Sequence, residues 1–405
     1  MRRWPRVAAV LLAIAVLCGG ISEPSSAQGT ARSMDLDPSA RASSMGAASN
    51  AVFWGDDADQ WANPALLAYH HGLRYEWGKT RLVPGLAEDV FFESKVLKIG
   101  GGGVALWTAG RPFGGLGGLK VDYGQIDLTN SSGIKIGSFS PYEQIESWGW
   151  ALSAGQLAEN AARLLGRALP SLSRYGDVSF GMSVKHVQLN LAPPGYGGSG
   201  ATTARDLGLL LRLTPIRATL GPEGIAMPIR ADASYGWSVL SYDDATILFP
   251  GENTPDPVSR HRRHGFASQV SLGLPAAVKR SMERRRLGWL ASGFDPIASL
   301  GLAADRARIS AGDFGSSSYK TSGLGLELTV MNLVALRHGW FRDKTGDIDG
   351  STSGWSAGFH LGDFGGMRYD RASFPQARTL PDLERKAFSL FVDPLAIWSA
   401  LRPER

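Results

Sequence analysis

The sequence predicts an all-β fold, a transmembrane antiparallel β-barrel of about fourteen strands. Three observations predict it. Beyond about residue 70, side chains alternate in character with the two-residue period of a strand that has two different faces. The connections between the alternating stretches switch between long and short, the asymmetry of barrels with long outer loops and short periplasmic turns. Glycine supplies 51 of 405 residues, well above the usual level of about 7%. Without matching proline or low-complexity repeats, that excess points to tight turns and crowded strand surfaces.

Composition excludes the main competitors. A mean hydropathy of -0.09 rules out a bundle of membrane helices, which needs repeated apolar runs of about 20 residues. With 43% hydrophobic residues and 12 Trp, 10 Tyr and 16 Phe, the chain can bury too much surface to be disordered. A soluble β-sandwich would alternate too. Here, however, many faces set glycine, small residues and charge on one side against aromatics and aliphatics on the other. That contrast suits a lipid-facing outside and a filled or watery inside.

Residues 1–27 read as a signal peptide. Arg2, Arg3 and Arg6 precede the apolar run Val7 to Leu17, and Ser25-Ser26-Ala27 supplies a cleavage site after Ala27. Leu17 in front of Cys18 disfavours a lipoprotein, and the short apolar run disfavours a retained anchor. Cleavage would remove Cys18, the only cysteine, leaving no thiol and no disulfide. The sequence pI near 9.3 carries no message of nucleic-acid binding, because an exported chain does not meet it and no dense basic block with interleaved aromatics appears.

The expected barrel covers residues 70–393. Leu73, Tyr75 and Trp77 alternate with Arg74 and Glu76 in the first strand, and Leu119, Val121 and Tyr123 with Lys120 and Asp122 in the third. Trp148, Trp150 and Leu152 mark the fourth strand. Val178, Phe180, Met182 and Val184 mark the fifth, where parity slips at Lys185-His186 as a bulge would cause. Ala231 to Val239 gives another two-faced strand. In all, the candidates are 71–82, 88–98, 102–127, 143–154, 176–191, 203–214, 228–241, 264–275, 289–304, 320–330, 333–342, 353–363, 366–374 and 385–393. The third is interrupted around Arg111-Pro112-Phe113 and the glycines at 114, 115, 117 and 118. An even count leaves both termini in the periplasm and puts the long connections (Thr129–Tyr142, Ala192–Thr202, Ser241–Arg263, Arg306–Ser318, Arg342–Thr352 and Pro375–Leu383) outside. Two inner segments depart from the short-turn rule: Gln156–Arg167 reads as an amphipathic helix, and the basic run Lys279–Arg286 as a solvated turn, with anionic lipid headgroups as its functional alternative.

The stretch before the first strand is not barrel-like. Met45-Gly46-Ala47-Ala48, the acidic turn Gly55-Asp56-Asp57-Ala58-Asp59 and Asn63-Pro64-Ala65 follow in that order. This order resembles the FadL-like outer-membrane barrels, the family of long-chain fatty-acid transporters and PorV/PorQ-type proteins. Two further stretches, Gly181–Gln188 leading to Asp206-Leu207-Gly208 and Leu324–Gly339 followed by Met367–Asp370 and Phe388-Ser389-Leu390, resemble its PorV-type branch. Departures are Leu66, where the family commonly has glycine, and a tail 394–405 beyond the last strand. The resemblance implies that residues 28–69 form a hatch, or plug, inside the barrel, with Asn63, Pro64 and Ala65 as its motif. Chemically, Pro64 lacks an N–H and holds Asn63 extended, while Asn63 can cap neighbouring backbone groups. The function implied is passage of hydrophobic small molecules across the outer membrane, with outer-membrane lipid and a hydrophobic ligand as partners. Release would follow a hatch shift or a lateral opening at strand glycines such as Gly149 and Gly181. The alternative is a PorV-like partner or carrier for secreted proteins, with secretion-system proteins as its partners.

No catalytic residues, cofactor or metal site emerge, and the chain does not read as an enzyme. Gly354-Trp355-Ser356-Ala357-Gly358 matches a nucleophile-elbow pattern, yet Trp355, Ala357 and Phe359 alternate as a strand where that chemistry needs a strand-to-helix turn. Gly100–Gly103 runs on into strand rather than into a phosphate-binding helix. Asp343 with Asp347-Ile348-Asp349-Gly350 lacks full calcium-loop spacing. His261 and His264 flank Arg262-Arg263, which would repel a cation. Glu327 and Arg337 fall on neighbouring strands as candidate lumen charges, since an Arg facing lipid at mid-membrane costs roughly 2–4 kcal/mol.

Overall fold

The computed structural model describes residues 30–55, 59–110, 118–166, 172–193, 195, 197–222, 226–285, 288–311, 318–362, 364–377 and 380–401. The signal peptide, Cys18, Asp56 to Ala58, Arg111 to Gly117, Arg286 and the last four residues lie outside them.

Alternation builds a closed wall. Its strands are β1 (Gly72–Arg81), β2 (Val90–Gly101), β3 (Val104–Ala109), β4 (Leu119–Tyr123), and, beyond the outer hairpin β5 (Ile126–Thr129) and β6 (Lys135–Phe139), β7 (Tyr142–Ser153). Next come β8 (Gly176–Asn190), β9 (Ser199–Leu220), β10 (Met227–Leu240), the small pair β11 (Thr246–Ile247) and β12 (Asp256–Pro257), and β13 (Ser259–Leu272). The last are β14 (Ala298–Ala311), β15 (Ser318–Val330), β16 (Val334–Asp343), β17 (Ile348–His360), β18 (Gly365–Phe374) and β19 (Leu383–Val392). Each wall strand pairs antiparallel with its neighbours, and β1 pairs with both β2 and β19, which shuts the cylinder. β3 and β4 both pair with β2 and β7, so they share one position of a fourteen-position wall.

Faces follow the pleat. In β15, Leu324, Leu326 and Leu328 are exposed on the outside, while Gly325 and Glu327 between them are buried inside. Val178 and Phe180, Leu209, Leu211 and Leu213, Leu300 and Leu302, and Phe388 and Leu390 continue this outer apolar belt.

Several expectations need correction. β8 runs through Lys185-His186 without a bulge: its pairing with β7 and β9 is continuous, and Lys185, Val187 and Leu189 all face inward. The slip is in polarity alone, because the outer half of the lumen is packed with apolar side chains while the wall outside turns polar. The register shift sits instead between β9 and β10, where Thr214 and Pro215 oppose Asp232, and Pro215 has no N–H to offer a ladder. Arg342–Thr352 is not a long loop; β16 and β17 extend to Asp343 and Ile348, and cross-strand pairing continues to that pair. The basic run is a helix, Ala276–Arg284, rather than a turn. The amphipathic helix spans Ala154–Leu164, capped by Ser153, whose side chain accepts from the Gln156 N–H.

Candidate functional site

Residues 30–70 are packed inside the wall. After a 3-10 turn at Arg32–Asp35, the helix Ala40–Ser44 starts at Ser39, whose hydroxyl accepts from the Ala42 N–H at 3.1 Å. Small residues make that helix thin enough to lie against β17 and β18. Gly46, at φ +66°, then turns the chain so tightly that a Cβ there would strike the Trp340 carbonyl oxygen. A second 3-10 helix, Pro64–Tyr69, leads into β1.

The wall makes room for this segment with glycines. Gly181 and Gly208 are cross-strand partners, and a Cβ on either would strike Asn63, Pro64 or Ala65. Gly236 and Gly265, another partner pair, face Asn50, and Gly323, Gly325 and Gly339 face Met45 and Gly46. Much of the glycine excess is therefore a seat for backbone, since only a residue without Cβ admits a second chain so close to the strand. Gly149 and Gly181 do not interrupt the wall; pairing is continuous through both, and Gly149 lies under the Trp107 indole.

Asn63, Pro64 and Ala65 meet at this seat. The Asn63 side-chain oxygen accepts from the Ala65 N–H at 3.0 Å, and its amide donates to the Asn50 and Leu209 carbonyls at 2.9 and 3.1 Å. Ser179 donates to the Ala65 carbonyl, and Ser238 to both Asn50 and the Ala62 carbonyl. Asp305 of β14 accepts from the Ser49 and Asn50 N–H groups at 2.9 and 2.7 Å.

Glu327 and Arg337 are direct partners across β15 and β16, with Nε to Oε2 at 2.6 Å. They belong to a larger buried array. Arg41, from the N-terminal segment, binds both Glu327 oxygens, Nε to Oε2 at 2.8 Å and Nη2 to Oε1 at 2.5 Å, and donates to the Trp54 carbonyl. The Trp54 indole also donates to Glu327. Arg337 continues to Asp370 at 2.8 Å and to the Ser356 hydroxyl, and Asp370 to Arg368. Ser356 is therefore an inward strand residue on β17, and not a nucleophile on a turn. Arg41 had no place in the sequence argument, although it is the one charge in a run of small residues. Asp370 and Asp305 were equally hidden, since nothing in a strand's own pattern says which side chains meet it on the inner face.

A second buried pair, Lys185 and Asp206 at 2.8 Å, lies with its ammonium 3.6 Å from the centre of the Trp61 ring, joining β8 and β9 to the segment. Within the segment, burial holds the Asp37 carboxyl well above its usual pKa, and nearby Asp59 adds to the effect. Burial likewise lowers His70 to about 3, helped by the charges of Lys98 and Arg74.

Two cavities flank the segment. The outer one, about 430 Å³, is lined by Ile309, Phe341, Phe374 and Leu383 together with Asp37 and Arg385. The inner one, about 380 Å³, is lined by Trp54, Tyr69, Arg212 and the array of Arg41, Glu327 and Arg337. Among the described residues no cluster of acids, histidines or cysteines could hold a metal ion. Asp349 is engaged by Arg342 and Trp340, His261 faces inward to Asp35, and His264 meets Tyr235.

Closure, an apolar belt and an occupied lumen define a plugged membrane-type β-barrel. The chain is similar to FadL-like outer-membrane barrels of known structure. It aligns with a Pseudomonas aeruginosa FadL homologue at 10% identity and a TM-score of 0.35, over 87% of this chain and 98% of that one. With the Ralstonia pickettii toluene transporter TbuX the figures are 12%, 0.38, 88% and 98%, and with the CymD monoaromatic hydrocarbon channel 11%, 0.35, 86% and 95%. No protein-family model and no curated protein matches the chain.

Proposed function

We propose that this protein carries hydrophobic small molecules across the outer membrane, with residues 30–70 acting as a hatch between an outer and an inner chamber. One observation carries the reading: a segment distinct from the strands, seated on wall glycines and tied by buried ion pairs, stands between two cavities inside a closed, apolar-belted wall. The segment is held both by apolar packing, with Trp61, Leu66 and Leu67 against the wall, and by hydrogen bonds and ion pairs on glycine shelves that water can replace. The outer chamber offers aromatic and aliphatic walls for capture, and the polar inner chamber offers an exit toward the periplasm.

The test is uptake by proteoliposomes holding the purified barrel, with toluene and a long-chain fatty acid as probes. Entry above that of protein-free vesicles, for either probe, supports the reading. Failure to bind or pass both, with the barrel correctly inserted, overturns it.

A further inference from the structure

The chain does not stop at the barrel's closing strand. Asp393 follows β19 directly and caps the helix Pro394–Leu401, its carboxylate accepting from the Leu395 and Ala396 N–H groups at 2.9 and 3.1 Å. The helix sequence, PLAIWSAL, contains no charge and only one polar side chain. It has no polar face to turn to water. Even so, Leu395 is 74% and Trp398 60% exposed, with Ile397 exposed between them. A helix that is apolar all round belongs inside a core or inside lipid. Here the described part of the protein leaves Leu395 and Trp398 mostly exposed and Ile397 exposed over 36% of its surface.

Its position says what covers them. The helix begins at the rim where β19 ends, beside β1, and the lipid-facing residues Phe388 and Leu390 of β19 and Trp77 of β1 lie on the wall that leads up to it. The apolar surface of the helix therefore continues the barrel's outer belt at the periplasmic rim. Trp is enriched at that boundary, where its amphipathic ring sits at headgroup level.

We infer that Pro394–Leu401 is an interfacial anchor that lies in the periplasmic leaflet of the outer membrane, with phospholipid as its occupant. The inference rests on the membrane-barrel reading and adds a lipid contact that transport does not require. A helix fixed in the leaflet holds the β19–β1 closure at a set depth, the place where the cylinder is joined by its first and last strands.

The test uses the full chain with Cys18→Ser and one environment-sensitive fluorophore at Trp398→Cys, reconstituted in phosphatidylethanolamine and phosphatidylglycerol vesicles. Ile397→Cys serves as a second probe in case the first perturbs the helix. Leu390→Cys on the wall and Leu86→Cys on an outer loop are the references. Spin-labelled phospholipid carrying its quencher near the headgroup should reduce emission at residues 397 and 398 by about twofold or more, with iodide nearly without effect. Iodide quenching equal to that at residue 86, without lipid quenching, overturns the anchor. Shielding from both quenchers also overturns it, since a protein surface or a second copy then covers the helix. If Leu390→Cys escapes lipid quenching as well, the membrane reading itself has failed; if only residues 397 and 398 escape, the anchor alone has.

Discussion

Replacing Arg41 by Met should release the N-terminal segment while leaving the wall intact. Arg41 and Glu327 are only 5% and 4% exposed, and the substitution removes two hydrogen bonds to the carboxylate, at 2.8 and 2.5 Å, and one to the Trp54 carbonyl at 2.6 Å. Breaking a buried ion pair from one side costs about 3–5 kcal/mol, because the remaining charge has lost its partner. Glu327 keeps Arg337 and the Trp54 indole, which places the cost near the lower end, about 3 kcal/mol. At 1.4 kcal/mol per decade, the population of the detached segment then rises by about 10². Hydrogen exchange with mass spectrometry, on the protein in micelles, reads this directly. Exchange in peptides from residues 40–54 should accelerate by about that factor, while β9 and β13 keep their protection. Adding Glu327→Gln should recover part of the loss, since it removes the stranded carboxylate. Unchanged exchange at residues 40–54 would refute the tether. An equal rise in every strand would show that Arg41 holds up the barrel as a whole.

The glycine seat predicts a position-specific cost: Gly236→Ala, whose Cβ would collide with the Asn50 carbonyl oxygen, should destabilise by about 1–3 kcal/mol in thermal melts. By contrast, Gly101→Ala, which meets nothing within 4 Å, should stay within about 0.5 kcal/mol. Asn63→Ala removes the cap on Ala65 and two donors to carbonyls, and should loosen residues 59–69 in hydrogen exchange by about 1–3 kcal/mol. His70 is held neutral, with its pKa lowered from 6.5 to about 3. The unfolded chain therefore binds the extra proton first, and stability should fall as pH drops from about 6.5 toward 3; melting curves of His70→Gln should be flatter over that window. Asp37 is shifted the other way, so its proton is retained on folding and stability falls as pH rises above the ordinary carboxylate range. Asp37→Asn, which keeps the shape without the charge, should melt higher than the parent at pH 8.

The wall was legible in the sequence because a two-faced strand writes its pairing into alternate residues, and Leu324 to Val330 with Val334 to Arg342 show this at full strength. Even the broken third strand occupies the single wall position expected of it. Where the pattern misled, at Lys185-His186, the cause was the packed lumen: Val187 and Leu189 are apolar because they meet the inserted segment, so polarity reversed while geometry did not. The pair Glu327 and Arg337 could be found from register across a three-residue turn. Arg41, Asp305 and Asp370 could not: the first two join the wall to the inserted segment across hundreds of residues, and Asp370 meets Arg337 two strands along the wall, over β17. The glycines were visible as an excess, but their purpose depends on what the inserted backbone touches.

The account depends most on a lumen closed by residues 30–70. Conductance of the purified protein in planar bilayers tests that most directly. The full chain should insert with almost no ionic current, and a variant lacking Ala40–Tyr69 should open steady channels through the emptied wall. An intact protein that conducts as an open pore, or a deletion that inserts and leaves the current unchanged, would contradict it.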